Sequence, residues 1–303
     1  LMDLKSKIIL IYGPTASGKS DFAIKLALKI DGEIVNADSM QVYKDLKILS
    51  ARPSKKNYQK IRHHLYGFQK SNKTFSTGDW LKLAIKKIED IKKRKKTPIL
   101  VGGTGLYFKA LTDGLVEIPR IPMKLRNKIR KLQKDIGQDK FYKKLLRLDP
   151  ISKGRINPTD VQRSVRAYEV KIFTQKSIHE WYRDTKTNFN NYKFYKLIIN
   201  YPRSLLVEKI NNRARQMIEI GAVLEVKKFL KLQIPKNKSI SKAIGIAEIR
   251  EFIKELIDKE ELIEKISIKT RQYAKRQVTW TRGHMKNWKK INKNRIKNFL
   301  KKI

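Results

Sequence analysis

The chain has 303 residues, with 71 Lys+Arg against 28 Asp+Glu, a formal net charge of +43, and no cysteine. That length accommodates two domains or one domain with a large insertion, and a 40% hydrophobic share still allows a core. The absence of cysteine excludes a disulfide scaffold, a thiolate nucleophile, a Cys-ligated zinc and an iron–sulfur cluster. No apolar run approaches the roughly 18–20 residues of a membrane span, and the first residues do not read as a signal peptide, so a soluble cytoplasmic protein with no membrane partner is expected.

So strongly positive a chain suits a polyanionic partner, because binding a phosphate backbone releases its counterions. The alternative reading is composition drift, since lysine far outnumbers arginine and travels with abundant Ile and Asn. Charge favours nucleic acid as the partner but does not separate RNA from DNA.

In chain order, Lys7–Tyr12 (KIILIY) reads as a buried strand running into Gly13–Ser20 and then a helix with Phe22, Leu26 and Ile30 on one face. Glu33–Ala37 reads as a second strand ending at Asp38, Trp80–Lys96 as a helix, and Thr97–Val101 as a third strand closed by Gly102-Gly103-Thr104. Beyond Gly114 the alternation stops, and basic helical stretches punctuated by Pro119, Pro122, Pro150 and Pro158 run to Asn191. Strand character returns at Phe194–Ile199, followed by helices to about Trp280 and a basic tail, Trp288–Ile303, expected to pack on the core as a short helix. The predicted architecture is α/β: a parallel sheet flanked by helices, with an all-helical insertion domain. The core would comprise residues 1–114 and 192–303, and the insertion residues 115–191.

Gly13-Pro14-Thr15-Ala16-Ser17-Gly18-Lys19-Ser20 fits G-x-x-x-x-G-K-[ST] between a strand and a helix. Its glycines let backbone N–H groups face a bound anion, the helix start adds positive potential, Lys19 adds a full charge, and the Ser20 hydroxyl can hold magnesium. The pattern specifies a di- or polyphosphate without saying which. The later strand ends in Gly102-Gly103-Thr104 rather than in the aspartate of a nucleotide-hydrolysing site, which disfavours motor and switch NTPases. Strand C-termini face the ligand crevice in such a sheet, so Lys19, Asp38 and Thr104 should converge there. Asp38 is then placed to accept a proton, although the same residue could cap a turn. Thr104 offers donors at a helix start, where it also serves as an ordinary N-cap.

In the insertion, Asn157-Pro158-Thr159-Asp160 leads into a helix with Gln162, Arg163 and Arg166 in its first turns. Amide plus guanidinium suits contacts to bases and phosphates, and equally a solvated face. Thr270–Gln277 with Trp280 and Arg282 mixes bases with aromatics that can stack on unpaired bases or simply pack. His63 and His64 are adjacent, so on a strand they point to opposite faces and cannot chelate.

Taken in order, GPTASGKS at 13–20, NADSMQVY at 36–43, GGTGLYF at 102–108, NPTDVQRSVRAYEV at 157–170, RARQMIEIG at 213–221, KAIGIAE at 242–248 and TRQYAKRQVTW at 270–280 resemble the tRNA dimethylallyltransferase family, the bacterial isopentenyl-tRNA transferases. The resemblance implies a P-loop kinase-like fold for the α/β core and a helical insertion that clasps the anticodon stem–loop. It also implies prenylation of the adenosine immediately 3′ of the anticodon, in tRNAs reading codons that begin with U. Dimethylallyl diphosphate would be the donor, and the adenine would be flipped out of its loop. By matching position, Asp38 would be the general base, Thr104 and Arg213 would act on the leaving group, and Gly13 to Ser20 would hold the diphosphate with Mg2+ on Ser20. Contacts to the anticodon stem–loop would come from Asp38, Ser39, Met40, Gln41, Thr104 and Arg126. They would also come from Gln162, Arg163, Ser164, Val165 and Arg166, and from Lys242, Ala243, Ile244, Gly245, Ile246 and Ala247. Met40 stands where many members have Arg, and Gly245-Ile246-Ala247 where Gly-Tyr-Lys is usual. A monomer is expected. Two rivals remain: a small-molecule P-loop kinase, which leaves the charge without a role, and a non-catalytic RNA-binding protein with a relic P-loop.

Overall fold

The computed structural model describes residues 4, 6–58, 60–183 and 192–303. Its elements in order are β1 (Ile8–Tyr12), α1 (Lys19–Ile30), β2 (Gly32–Asn36), β3 (His63–His64), α2 (Thr77–Lys93), β4 (Thr97–Gly102) and α3 (Gly105–Asp113). There follow α4 (Met123–Leu148), α5 (Val161–Thr174), α6 (Ile178–Arg183), β5 (Phe194–Asn200), α7 (Arg203–Glu219), α8 (Ala222–Lys231), α9 (Ile246–Ile253), α10 (Lys259–His284), β6 (Lys289–Asn292) and α11 (Ile296–Lys301). The chain divides into two compact units, residues 1–110 with 191–303, and residues 111–190.

In the first unit the strands form one sheet in the order β3-β2-β4-β1-β5-β6, with every neighbouring pair parallel. β1 is buried at every position, which a central strand covered on both faces requires. α1 presents Phe22, Ala23, Leu26, Ala27 and Ile30 to the sheet, filling one side of the core with Ile9, Ile11, Ile99 and Val101. The strand before the P-loop and the helix after it are therefore fixed by packing, and the loop between them has little freedom.

α2 begins at Thr77, three residues earlier than expected, because Ser76 and Asp79 form a reciprocal capping box. It carries Trp80 into the core, where the indole N–H donates to the Asn36 carbonyl at 2.8 Å and the ring stacks on Tyr107 at 4.3 Å. Two strands escaped the sequence reading. β3 has only two residues, and β6 (KKIN) buries one side chain, Ile291. The tail is thus a strand followed by a short helix, and it does pack on the core: Phe299 meets Phe22 at 5.8 Å between ring centres. His63 and His64 lie on β3; His64 pairs with buried Glu33 at 2.6 Å, and Glu33 also receives Arg94 at 2.7 Å.

The second unit is helical over its described residues. Phe141 and Leu145 from α4 pack with Tyr168 and Val170 from α5, and Ile178 of α6 joins them. Buried Glu169 faces three guanidiniums, Arg126 at 3.2 Å, Arg130 at 3.3 Å and Arg166 at 3.7 Å. The helical stretch expected as far as Asn191 is seen to Arg183, and residues 184–191 lie outside the described residues. Among the described residues no helix is long and apolar enough to cross a membrane.

Candidate functional site

β1, β2 and β4 are neighbours, so the segments leaving their C-terminal ends meet above the sheet. From β1 comes the P-loop, from β2 the turn Asp38–Gln41, and from β4 the loop Gly103–Thr104. Asn36, at the end of β2, shapes the turn. Its side-chain oxygen accepts the Asp38 N–H at 2.9 Å, and its amide donates to the carbonyls of Asp38 and Leu65, each at 3.0 Å. One Asp38 carboxylate oxygen then accepts the Met40 N–H at 2.9 Å, an Asx-type turn that leaves the other oxygen available.

Thr104 ties the β4 loop to this turn. Its N–H donates to the Ala37 carbonyl at 3.2 Å, and its hydroxyl oxygen accepts the Ser39 N–H at 2.9 Å. The approach is close enough to demand glycine before it: a Cβ on Gly102 would stand 2.0 Å from the Ala37 carbonyl oxygen.

In the P-loop, Lys19 opens α1 and its ammonium donates to the Pro14 carbonyl at 3.2 Å. Arg213, near the middle of α7, donates to the Thr15 hydroxyl at 3.3 Å. Burial pulls Lys19 down to about 8, with the Asp38 charge opposing and the Arg213 charge adding. Burial likewise lowers Arg213, against the pull of Asp38. Tyr12, Tyr107 and Tyr273 are pushed above the usual phenol range, by burial first and by the Asp38 charge second. The field of one carboxylate thus reaches a lysine, an arginine and, with Tyr66, four phenols.

The arrangement pairs an anion cradle, built from the P-loop, Lys19 and Arg213, with a single carboxylate in the same crevice. It can hold a phosphorylated electrophile and take a proton from its attacker. The end of β4 supplies no second carboxylate. Among the described residues no group of three or more His, Asp or Glu side chains is gathered to hold a metal. What remains for a cation is the Ser20 hydroxyl, a hard oxygen that fits magnesium arriving on a diphosphate, since that ion takes few protein ligands and fills its shell with phosphate oxygens and water.

Lys19, Asp38, Thr104, Thr15 and Arg213 are therefore brought together as the sequence predicts. The segment Lys242–Ala247 adjoins the β2 turn: Val42 and Tyr43 share a core with Ile240, Ile246 and Ile249. Lys242 and Ala247 are exposed there, whereas Gly245 and Ile246 are buried. The Gln41 amide turns inward, donating to the carbonyls of Ser50 and Ala51 at 3.0 and 3.2 Å. Arg126, Gln162, Arg163 and Arg166 lie on the second unit; Ser164 and Val165 between them are buried, Gln162 and Arg163 are exposed, and Arg166 is half-buried against Glu169.

Sequence reasoning missed Gln277. It lies within Thr270–Gln277, a stretch that reads equally as stacking on unpaired bases or as packing, and it is 4% exposed and faces the P-loop. The phenols of Tyr12, Tyr107 and Tyr273 were also missed, because nothing in a lone aromatic marks it as lying in the field of a distant carboxylate.

A family model described as IPP transferase matches residues 41–284. The tRNA dimethylallyltransferase of Pelagibacter ubique is 58% identical over 302 residues, covering 100% of this chain and 96% of that protein. Among solved structures, the full-length tRNA isopentenylpyrophosphate transferase of Bacillus halodurans superposes with a TM-score of 0.69 at 29% identity, covering 98% of this chain and 95% of the other. A eukaryotic dimethylallyltransferase described as acting on tRNA gives 0.80 at 28% identity, covering 95% and 74% respectively.

Proposed function

The chain belongs to the IPP transferase family, and on that premise we propose that its P-loop cradles dimethylallyl diphosphate while Asp38 deprotonates the amine that displaces the diphosphate. The protein is a transferase that moves a dimethylallyl group onto tRNA. The acceptor is the N6 amine of the adenosine immediately 3′ of the anticodon, in tRNAs reading codons that begin with U. N6 attacks the allylic carbon, the carbon–oxygen bond to the diphosphate breaks, and the diphosphate departs with the electron pair. The N6 proton passes to the Asp38 carboxylate. Lys19, Arg213 and the P-loop N–H groups stabilise charge growing on the leaving group, and Thr104 holds the Asp38 turn at the right depth. Magnesium held by Ser20 would neutralise part of the diphosphate charge.

The observation that carries this reading is the placement of one carboxylate in the field of the P-loop lysine and Arg213, with no aspartate ending β4. A hydrolase needs to position water; an alkyl transfer needs only a base for the amine. The basic helical unit, with Gln162, Arg163 and Arg166 at the start of α5, suits the anticodon stem–loop. The protein acts as a cytoplasmic monomer.

The test is transfer of labelled dimethylallyl diphosphate to unmodified tRNA carrying adenine at that position, with a guanine variant as control and ATP hydrolysis followed in parallel. Label on the adenine tRNA alone, without ATP, is expected. ATP consumption with no label would make the P-loop a kinase site.

A further inference from the structure

We propose that Gln277 is a positioning residue for the transfer, fixing the separation between the diphosphate cradle and the Asp38–Thr104 side of the crevice. Its side-chain oxygen accepts the Thr15 N–H of the P-loop at 2.8 Å, and its side-chain nitrogen donates to the Gly103 carbonyl at 2.9 Å. Its backbone carbonyl accepts the Tyr12 hydroxyl at 3.0 Å. One residue of α10 therefore bonds to the end of β1, to the P-loop and to the β4 loop at once.

Both bridged loops continue directly to reacting groups. Thr15 is the residue whose hydroxyl receives Arg213, and Gly103 precedes Thr104, which holds the Ser39 N–H and the Ala37 carbonyl. A Cβ on Gly103 would lie 2.1 Å from the Gln277 side-chain nitrogen, so the glycine leaves the room that the amide occupies. A residue needed only for packing would be apolar at 4% exposure; this one has its donor and its acceptor paired with different loops. α10 also carries Tyr273, whose phenol lies in the field of Asp38, so the helix that braces the crevice forms part of its wall.

The inference rests on the prenyl-transfer reading of this crevice, and the experiment separates the two. Wild type, Gln277→Leu and Gln277→Glu are compared for kcat, tRNA affinity and binding of inorganic diphosphate. Leucine removes the bonds to Thr15 and Gly103 together with the side-chain bond to Tyr273, and a displacement on the order of 1 Å between reacting parts costs about 100-fold in rate. Gln277→Leu is thus expected to lose about 100-fold in kcat and about tenfold in diphosphate affinity, with tRNA affinity within about twofold. Gln277→Glu keeps the acceptor but donates to Gly103 only when protonated. Burial, the Gly103 carbonyl and the Asp38 charge hold that proton to higher pH, against the pull of the Thr15 N–H, Lys19 and Arg213, while the adjoining phenols of Tyr12 and Tyr273 stay neutral. Its kcat relative to wild type is expected to rise as pH falls from 8 to 6, a rescue that a loosened fold does not produce.

Wild-type kcat in Gln277→Leu overturns the proposal, as does a parallel fall of kcat and tRNA affinity. Where Gln277→Leu does not fold, a Gln277→Glu ratio flat with pH overturns it instead. A wild type that binds diphosphate but transfers no prenyl group defeats the prenyl reading, and the diphosphate affinity of Gln277→Leu then decides the brace.

Discussion

Lys19 gives the sharpest handle on the anion cradle. In the free protein burial lowers its ammonium from 10.5 to about 8, equivalent to about 3 kcal/mol against the charged form. At pH 8 about half of the molecules carry a neutral Lys19, and at pH 9 about one in ten still carries the charge. A diphosphate seated beside it restores the charge, so binding takes up about half a proton at pH 8 and weakens up to about tenfold per pH unit above that. Lys19→Arg is the control, because guanidinium keeps its charge throughout. Titration calorimetry with inorganic diphosphate at pH 8, in two buffers of different ionisation heat, gives the proton count. Subtracting the Lys19→Arg value removes the titration of diphosphate itself. An excess of about half a proton in wild type is expected; equal counts would refute the buried-lysine argument. The stability effect has a definite sign. The unfolded state binds more protons between about 8 and 10.5, so the cost of the charged lysine is fully present below 8 and fades as pH rises through that window. Urea midpoints of wild type should therefore gain on Lys19→Arg from pH 8 to 10.

Three further substitutions probe the scaffold and the RNA side. Gly102→Ala places a methyl group 2.0 Å from the Ala37 carbonyl oxygen, and urea unfolding should show a loss of about 3 kcal/mol; an unchanged midpoint would mean that β2 and β4 are not packed as described. Trp80→Phe keeps an aromatic ring over Tyr107 but orphans the buried Asn36 carbonyl, and should cost about 2 kcal/mol in the same measurement. Arg163→Ala removes a side chain that is 72% exposed while Asp160 still caps α5 through the backbone N–H at 2.9 Å. Thermal stability should hold while tRNA affinity falls and its log–log salt slope shrinks by about one; an unaltered slope would remove Arg163 from the RNA contact.

The central site was legible in sequence because its parts sit at the ends of strong elements. An apolar five-residue strand, a glycine-rich turn and an amphipathic helix fix the P-loop, and parallel pairing of β1, β2 and β4 then dictates where Asp38 and Thr104 must fall. The strands that escaped have little apolar pattern to read: β6 offers one buried isoleucine among lysines and asparagine, and β3 offers two histidines. Arg213 came only through family resemblance, since an arginine in the middle of an ordinary helix carries no local sign of its target. Gln277 illustrates the harder limit. Its partner Gly103 is 174 residues away in sequence, and in a stretch mixing basic and aromatic residues an amide buried by tertiary packing cannot be told from one that faces RNA. Gln41 shows the same limit in miniature, with its amide spent on two nearby carbonyls.

The most direct measurement of the account is prenyl transfer by Asp38→Asn. Asparagine keeps the oxygen that accepts the Met40 N–H at 2.9 Å, so the turn survives while the base is lost. A fall in kcat of about 10²–10⁴-fold is expected, with tRNA affinity unchanged. A kcat within about twofold of wild type would contradict it and leave the crevice without its base.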